Sequence, residues 1–415
     1  MEEWKEYKLG ELITLNSGGT PDKNNKSYWD GEIPWISAKF MYDDYLYSSE
    51  LKISQDGLTS GSRLAPKGSI LLLTRGSGLF NRIPVCYTMR DLAYNQDVKC
   101  IESKNKELVS TEYLFYWLMG NKDSISAILE TTGIGAGKID TNRLKNIRIS
   151  LPPKEYQQIL IGFAESIMHK IEVNRRINEN LEQQAQALFK SWFVDFEPFK
   201  DQPFVESELG MIPQGWRVGT LEEIGDVIGG STPSKAKPEY YTEDGIAWLT
   251  PKDLSVSNAK FTDRGEIDIT QEGYNSCSTK LMPKGTVLFS SRAPIGYITI
   301  AKNDICTNQG FKSVVPSYAG TAFIYCYLKA ATPNIENKAT GSTFKEASGS
   351  LMKSLQLVIA PKDIMDSFEE RMKPIFAEQE CVEDESRRLA ELRDTLLPRL
   401  MSGELKVNDL ENNEI

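Results

Sequence analysis

The chain has 415 residues, of which 40% are hydrophobic and 26% are charged, and its formal net charge is −10. This length predicts two or three domains with a globular composition. No stretch approaches the roughly 18 to 20 apolar residues of a membrane span, and the N-terminus lacks a signal-peptide pattern, so we expect a cytoplasmic protein without a membrane partner. The six cysteines form no C-x-x-C pair and His169 is the one histidine, which disfavours a structural zinc site and histidine catalysis.

The excess of acidic residues is confined to two segments. Residues 1–150 carry 19 basic and 19 acidic side chains, and residues 211–360 carry 15 and 14. Residues 151–210 carry 6 and 10, and residues 361–415 carry 8 and 15. A polyanion such as double-stranded DNA would therefore meet the neutral segments rather than the acidic ones.

Residues 1–151 predict a first globular domain of short strands and loops. Strand candidates bounded by Gly, Pro and Asn are Ile33–Ser37, Ser69–Gly76 and Asn146–Pro152, and the short helix candidates are Thr111–Met119 and Lys122–Leu129.

Residues 152–199 predict one long helix that acts as a spacer. Apolar residues recur every three or four positions, and no Pro interrupts Glu155 to Asp195. About 40 residues at 1.5 Å each would make a rod of roughly 60 Å, too long for a helix inside one compact domain. Residues 200–215 have the composition of a linker.

The chain then repeats itself. Trp4 and Trp216 are 212 residues apart, and the same offset relates "GGTP" at Gly18 to "GSTP" at Gly230. Further matches are "IPWIS" with "IAWLT", "PKGSILL" with "PKGTVLF", and a later Asn-Gln pair. Residues 216–360 are therefore a second copy of the domain, 361–405 a second long helix and 406–415 a tail.

The predicted fold class is α+β, with two similar mixed domains on two long helices. The helices would pair as an antiparallel coiled coil, and the duplication implies an approximate internal two-fold axis. Whole loops differ between the copies, as in residues 39–57 against 252–273, which favours two different targets.

Several polar residues at matching positions are candidates for DNA contacts. Arg75 and Arg292 follow apolar strands and could contact guanine or phosphate, or form structural salt bridges. Asn95-Gln96 and Asn308-Gln309 could contact adenine, or bond a buried turn. We also include Gly19, Thr20, Lys39 and Thr74 from the first copy, and Ser231, Thr232, Lys252 and Ser291 from the second. Trp35 and Trp248 could support a base-contacting loop or pack in the core, and we expect core packing.

A glycine-rich segment in each copy is a further candidate. "GIGAGKID" from Gly133 breaks the phosphate-loop pattern of ATP-binding proteins because no second Gly precedes a Lys-Ser or Lys-Thr pair. Contact with the DNA backbone, or a tight turn with no ligand, are the two remaining interpretations. The candidates are Thr132, Gly133 and Lys138 in the first copy, and Thr340, Gly341, Ser342 and Lys345 in the second.

The helices carry three features of their own. Asn174 stands where the second helix has Val382, and would either fix the register from a buried position or lie exposed. Pro374 predicts a kink or a restart in the second helix. Trp192, Phe193, Phe196 and Phe199 either form a protein-docking patch or pack on the neighbouring domain.

The duplicated domain-plus-helix pattern, the "GGTP" and "GSTP" segments, "ALFKSWFVDFEP" from Ala187 and "LRDTLLPRLMSGEL" from Leu392 resemble the specificity subunit of type I restriction-modification systems. The resemblance covers nearly the whole chain. It implies that each domain recognises half of a split DNA site while the helices set the gap. Two domains related by an approximate two-fold axis would reach DNA on one face, with half-sites about one turn of DNA, roughly 34 to 36 Å, centre to centre.

The resemblance also implies the partners. Two methylase subunits would dock at the helix ends, for which we predict Trp192, Phe193, Phe196, Leu396 and Leu400, and would methylate adenine with S-adenosylmethionine. Two motor-nuclease subunits could join for restriction that uses ATP and Mg²⁺. The chain itself is expected to be noncatalytic and to bind no cofactor or metal, since it lacks methyltransferase, nuclease and Walker motifs.

Two rival hypotheses stay open at this point. The chain could be a noncatalytic scaffold or inhibitor that has lost DNA recognition, or a fused restriction-methylation enzyme. The missing catalytic motifs disfavour the second.

Overall fold

The computed structural model describes residues 4–133, 135–256, 259–341 and 345–407. The chain divides into two compact units. Unit 1 comprises Met1–Ile171 with Arg387–Ile415, and unit 2 comprises Glu172–Ser386. Each unit therefore contains one globular domain together with segments of both long helices.

Unit 1 begins with a domain of short strands and helices. Its strands are β1 Lys5–Lys8, β2 Ile13–Ser17, β3 Ile33–Ile36, β4 Tyr45–Leu46, β5 Lys52–Ile53, β6 Arg63–Ala65, β7 Ile70–Leu73, β8 Arg75–Gly76, β9 Val85–Thr88, β10 Leu92–Tyr94, β11 Val98–Ser103, β12 Leu129–Thr131, β13 Gly137–Ile139 and β14 Arg148–Leu151. Its helices are α1 Leu9–Leu12, α2 Gln55–Gly61, α3 Thr111–Gly120, α4 Lys122–Ser126 and α5 Thr141–Asn146, after which α6 Lys154–Phe193 begins.

A five-stranded sheet in the order β2-β11-β7-β9-β4 forms the centre of the first domain. All its pairs are antiparallel except β4 with β9 at the edge. The central strand β7 reads ILLL and is buried at every position, as expected of a strand covered on both faces. Helix α3, whose residues from Tyr113 to Met119 are all buried, belongs to the same hydrophobic core.

Unit 2 repeats this plan after a short hairpin. Its strands are β15 Phe204–Ser207, β16 Gly210–Pro213, β17 Arg217–Thr220, β18 Gly225–Gly229, β19 Tyr241–Thr242, β20 Trp248–Leu249, β21 Phe261–Thr262, β22 Asp268–Ile269, β23 Val287–Ser291, β24 Ile295–Ala301, β25 Cys306–Thr307, β26 Lys312–Pro316 and β27 Gln356–Ile359. Its helices are α7 Pro251–Val256, α8 Gln271–Asn275, α9 Thr321–Lys338 and α10 Gly349–Lys353, after which α11 Lys362–Ser402 begins; the residues of α11 from Arg387 onward belong to unit 1.

The two domains share one fold. The main sheet of the second domain has the order β18-β26-β23-β24-β21, again with its edge strand parallel to its neighbour. In each domain the first strand pairs antiparallel with the last, β1 with β14 and β17 with β27. The duplication predicted from the sequence is confirmed at the level of strand order and direction.

The two long helices run antiparallel within each unit. In unit 2 Asn174 of α6 contacts Glu385 of α11, and Asn178 of α6 contacts Gln379 of α11. Residue numbers therefore rise along α6 as they fall along α11. In unit 1 the Arg393 guanidinium lies 3.3 Å from the sulfur of Met168. The predicted helices were slightly too long at both ends, and Pro374 lies inside the continuous helix α11 rather than at a restart.

One segment is more ordered than its composition predicted. Residues 200–215 were expected to be a linker, but β15 and β16 form an antiparallel hairpin there, with Phe204 opposite Pro213. The ring of Phe204 contacts Phe196 at 6.0 Å between centroids, which attaches the hairpin to the end of α6.

Candidate nucleic-acid interface

The Gly-Thr-Pro segments form the same loop in both domains. The indole N–H of Trp35 donates to the Gly19 carbonyl at 3.1 Å, and that of Trp248 donates to the Ser231 carbonyl at 3.1 Å. Both tryptophans are only 4% exposed, which confirms their expected place in the core. A Cβ on Gly18 would lie 2.1 Å from the Tyr94 carbonyl oxygen, so only glycine allows this close approach.

The threonine of each loop holds an exposed glutamine. Thr20 donates from its hydroxyl to Oε1 of Gln96 at 2.7 Å, and Thr232 makes the same bond to Gln309. Both glutamines are exposed while Thr20 and Thr232 are half-buried. Since Oε1 is occupied, each glutamine presents its amide N–H₂ as a donor on the surface.

The side chain of the asparagine before each glutamine instead forms hydrogen bonds within its own turn. Asn95 is 7% exposed, and its side chain exchanges hydrogen bonds with the backbone N–H and carboxylate of Asp97, both at 3.2 Å. Asn308 is half-buried and accepts from Gly310 N–H at 2.8 Å. The predicted adenine contact of Asn95 is therefore wrong, and the buried-turn alternative holds for it.

Two further predicted contacts lie inside the protein. Thr74 is 4% exposed and donates to the Asp97 carbonyl at 2.9 Å, and Ser291 is fully buried and donates to the Gly310 carbonyl at 3.1 Å. Both hydroxyls bond backbone carbonyls at the end of a central strand and are covered by the protein. Their predicted DNA contacts are therefore wrong. The residues that follow them, Arg75 and Arg292, emerge at the surface.

The glycine-rich segment of the first domain is a hairpin that pairs with the arginine strand. Thr132 and Ala136 bond each other across the turn, with N···O distances of 2.8 and 3.1 Å. Strand β13 then places Lys138 directly opposite Arg75 on β8. Gly133 is exposed at the tip.

The second domain has a related hairpin with a different charge. Thr340 and Glu346 form a bridge, with N–H···O distances of 2.9 and 3.3 Å, and Glu346 also lies opposite Arg292. The carboxylate of Glu346 is 3.7 Å from Arg292, so the structural salt bridge considered for this arginine is present. Gly341 and Lys345 are exposed, and Ser342 lies outside the described residues.

Two lysines that were not predicted from the sequence also lie on this surface. Lys99 donates to Ser17 Oγ and, at 3.4 Å, to the Gln96 carbonyl. Lys312 occupies the same place on β26, and its ammonium lies 3.3 Å from Glu346. The signal was available, because each lysine follows an Asn-Gln pair by the same number of residues.

These contacts join residues that are distant in the sequence. In the first domain a continuous surface, which we name polar strip 1, consists of Thr20, Gln96, Lys99, Arg75 and Lys138. Its counterpart, polar strip 2, consists of Thr232, Gln309, Lys312, Arg292 and Glu346. Both strips lie where a central strand ends, and backbone that is fixed by the main sheet positions their side chains.

Lys39 and Lys252 are exposed, but no described contact links either of them to its strip. Lys39 lies 3.6 Å from Glu50, and Lys252 lies 2.8 Å from Glu266. All four side chains are more than two-thirds exposed. Such pairs contribute little free energy, so either lysine is available to a DNA phosphate.

The predicted docking patch at the end of α6 is mostly core. Trp192 and Phe193 are 8% and 6% exposed and pack against Phe323 and Phe368 in unit 2. Leu400 is fully buried in the core of unit 1. Their predicted role in docking methylases is wrong, because packing on the neighbouring domain covers them. Phe196 and Leu396 are half-buried, and their role stays a prediction.

Asn174 is fully buried between the helices, so its exposed alternative is wrong. Its amide donates to Glu385 at 2.8 Å, and its Oδ1 has no hydrogen-bond partner among the described residues. A half-satisfied buried amide costs free energy, which is typical of a residue that fixes the register of paired helices.

A buried charge network joins the second domain to both helices. The ammonium of Lys260, 6% exposed, is 2.8 Å from Glu182 of α6 and 2.6 Å from Oε1 of Gln379 of α11. It also lies 3.6 Å from the Phe376 ring centroid. Burial alone would raise the pKa of Glu182, but Lys260 and Lys329 outweigh it and lower that pKa to about 2.

The first domain also forms an ion pair with a long helix at the equivalent place, but its own residue, Asp44, is acidic where Lys260 is basic. We call Asp44 and Lys260 the anchors of their domains. Asp44 and Lys260 each precede the edge strand of their main sheet, β4 and β21. Asp44 lies 3.1 Å from Arg393 of α11, whose side chain is 11% exposed. Neither ion pair could be predicted from the sequence, since each joins residues far apart in the chain.

Two kinds of feature are absent from the described residues. No helix in this part of the chain is both long and apolar enough to cross a membrane. No group of three or more His, Cys, Asp and Glu side chains is placed there to hold a metal ion.

A fold that occurs twice, with one loop frame and two differently charged strips, defines a protein with two related recognition domains on paired helices. Residues 1–183 and 213–378 match the family model described as the type I restriction modification DNA specificity domain. The chain belongs to this family.

Relatives of known name match over most of the chain. It is 29% identical to the type I restriction enzyme MjaIX specificity subunit of Methanocaldococcus jannaschii, over 99% of this chain and 95% of the relative. It is 26% identical to the HindI specificity subunit of Haemophilus influenzae, over 98% and 100%. A crystal structure of the type I restriction-modification S subunit from M. genitalium has the same fold, with a TM-score of 0.55, 16% identity and 96% coverage of both chains.

Proposed function

We propose that this chain is the DNA-specificity subunit of a type I restriction-modification complex. Each domain would bind one half of a bipartite site in double-stranded DNA, and the paired helices would set the gap between the halves. The observation that carries the proposal is the duplicated frame: the same Trp, Thr and Gln contacts recur in both domains. The loops around this frame differ, as expected if the two domains recognise different bases.

The exposed groups of the strips suit this role chemically. The amide N–H₂ of Gln96 and of Gln309 can donate to acceptors on base edges, and the Arg75 guanidinium can contact guanine or a phosphate. A rigid strand end beneath each group fixes its position before DNA arrives, which lowers the entropic cost of binding.

The catalytic steps are assigned to partners. Two methylase subunits would bind the chain and methylate adenine with S-adenosylmethionine, and two motor-nuclease subunits would add ATP-dependent and Mg²⁺-dependent cleavage. This chain would bind none of these cofactors, and it would work in the cytoplasm. The support is family membership and the absence of catalytic motifs from the sequence.

The test is genome-wide mapping of methylated adenine in cells that carry or lack the gene for this chain. The expected result is a split motif that disappears with the chain and returns with its expression. A chain that assembles with the methylases while the complex binds no DNA would instead be a scaffold or inhibitor. Methyl transfer by the purified chain alone would contradict its noncatalytic role.

A further inference from the structure

Two cations stand directly opposite each other on polar strip 1. Arg75 on β8 and Lys138 on β13 are paired residues of antiparallel strands, so their side chains project from the same face. Like charges at such positions repel and destabilise the pair of strands. Arg75 is exposed and Lys138 is half-buried.

A third cation adds to this charge. Lys99 is half-buried, and burial lowers its pKa; Asp97 opposes that shift, and the nearby Arg75 guanidinium lowers the pKa further. Within the part of the chain that the structure describes, none of Arg75, Lys99 and Lys138 has a carboxylate within 4.0 Å in an ion pair. Glu130 lies opposite Lys138 on the other neighbouring strand, β12, but its carboxylate is 3.5 Å from Arg143. Arg75 and Lys99 therefore stand beside Lys138 without an ion pair of their own among the described residues.

In the second domain a carboxylate of the protein itself lies between the corresponding cations. Glu346 lies opposite Arg292, as Lys138 lies opposite Arg75. One Glu346 oxygen is 3.7 Å from Arg292 and the other is 3.3 Å from Lys312. Polar strip 2 therefore has two cations bridged by one carboxylate, at the place where polar strip 1 has three cations.

We infer that Arg75, Lys99 and Lys138 form a binding site for a DNA backbone phosphate, and that the equivalent place in the second domain binds none. A phosphate would neutralise the repulsion in polar strip 1 and accept charge-assisted hydrogen bonds from the guanidinium and both ammonium groups. In polar strip 2 the Glu346 carboxylate already occupies that position and would repel a phosphate. The inference rests on the proposed function, because it requires that the first domain contacts DNA.

A pair of reciprocal substitutions tests this inference. Lys138→Glu places a carboxylate opposite Arg75, as Glu346 lies opposite Arg292, and Glu346→Lys places a cation opposite Arg292. Affinity is measured by fluorescence anisotropy at several salt concentrations, for the chain assembled with its methylases. The probes are one duplex that contains the methylated motif and one that lacks it.

The salt dependence of binding is the decisive quantity. Each neutralised phosphate contributes about 0.9 to the slope of log affinity against log salt. Lys138→Glu should reduce the magnitude of this slope by about 1 and weaken binding to both duplexes alike. Glu346→Lys should increase it by about 1. Lys106→Glu, the same charge change on an exposed loop of the first domain, should leave the slope unchanged.

Three outcomes would overturn the inference. An unchanged slope with weaker binding to the motif duplex alone would assign Lys138 to a base edge. An unchanged slope and affinity would place the cluster away from DNA, and an equal effect of Lys106→Glu would make the effect one of net charge. Methylation mapping of the Lys138→Glu complex separates this inference from the proposed function, since an unchanged motif would preserve the function even if the phosphate site failed. Circular dichroism checks that both variants are folded.

Discussion

Replacement of Glu182 by Gln should selectively destabilise unit 2. The Lys260 ammonium is buried and has Glu182 as its ion-pair partner, at 2.8 Å. Glu383, the other carboxylate nearby, accepts from the backbone N–H groups of Lys260 and Phe261. Without the Glu182 charge, Lys260 keeps the Gln379 oxygen at 2.6 Å and the Phe376 ring, which do not neutralise it.

The expected cost follows from two independent estimates. Removal of one partner of a buried ion pair costs about 3 to 5 kcal/mol, because the other charge stays buried and uncompensated. The pKa of Glu182 is lowered from 4.5 to about 2, and this difference corresponds to about 3 kcal/mol of stabilisation at neutral pH. We therefore expect Glu182→Gln to lower the free energy of unfolding of unit 2 by about 3 kcal/mol.

Hydrogen–deuterium exchange measures this cost separately for each unit. Amides of α9 report on unit 2 and amides of α3 report on unit 1. The free energy of opening should fall for α9 and stay constant for α3. The matched control is Glu266→Gln, which breaks the exposed pair with Lys252 and should cost at most about 1 kcal/mol.

The pH dependence gives a second check. A carboxylate with a lowered pKa stabilises the fold fully above its unfolded value and loses that contribution as the pH falls toward 2. The difference between the original chain and Glu182→Gln should therefore shrink between about pH 5 and pH 2. A cost below about 1 kcal/mol at neutral pH, or a difference that does not depend on pH, would refute this account of the network.

Three more predictions follow from the strips and the helices. Arg75→Ala should weaken binding of the assembled complex to duplexes with and without the motif alike, as expected of a phosphate contact. Arg292→Ala should have a smaller effect because Glu346 already pairs with it. Fluorescence anisotropy with both duplexes checks this, and equal losses for the two variants would contradict the assignment. Asn174→Val should leave the stability of unit 2 unchanged or raise it by about 1 kcal/mol, since it removes a buried unsatisfied oxygen; a clear loss in the same exchange assay would oppose this. Lengthening both helices by one turn, about four residues each, should change the gap in the methylated motif and leave both half-sites as they were.

The architecture was predictable because its signals are local. Helical periodicity over tens of residues defined α6 and α11, and repeated motifs revealed the duplication. The neighbouring residues Asn95 and Gln96 show where such reasoning ends. Both are amides, but one turns inward to Asp97 and the other outward to Thr20. Which of them reaches the surface depends on the path of the turn, which composition does not determine.

The errors in the candidate site have the same physical origin. The aromatic residues at the end of α6 pack on Phe323 and Phe368, which lie more than 100 residues further along the chain. Because the local sequence does not show these partners, the aromatic residues were predicted to be exposed and to dock another protein. Likewise, Glu346 meets Arg292 only because two separate segments pair as strands. Contacts of this kind decide whether a polar residue is a ligand contact or an internal partner, and they appear only once the chain is folded.

The opposite signs of the two anchors bear on how such a protein could be rebuilt from parts. Asp44 meets Arg393, and Lys260 meets Glu182. A first domain transplanted to the position of the second would bring Asp44 toward the carboxylate of Glu182, and the reverse graft would bring Lys260 toward the Arg393 guanidinium. Recombination between chains of this kind should therefore favour exchanges that keep a domain in its original place, so that new combinations of half-sites arise without a change in their order.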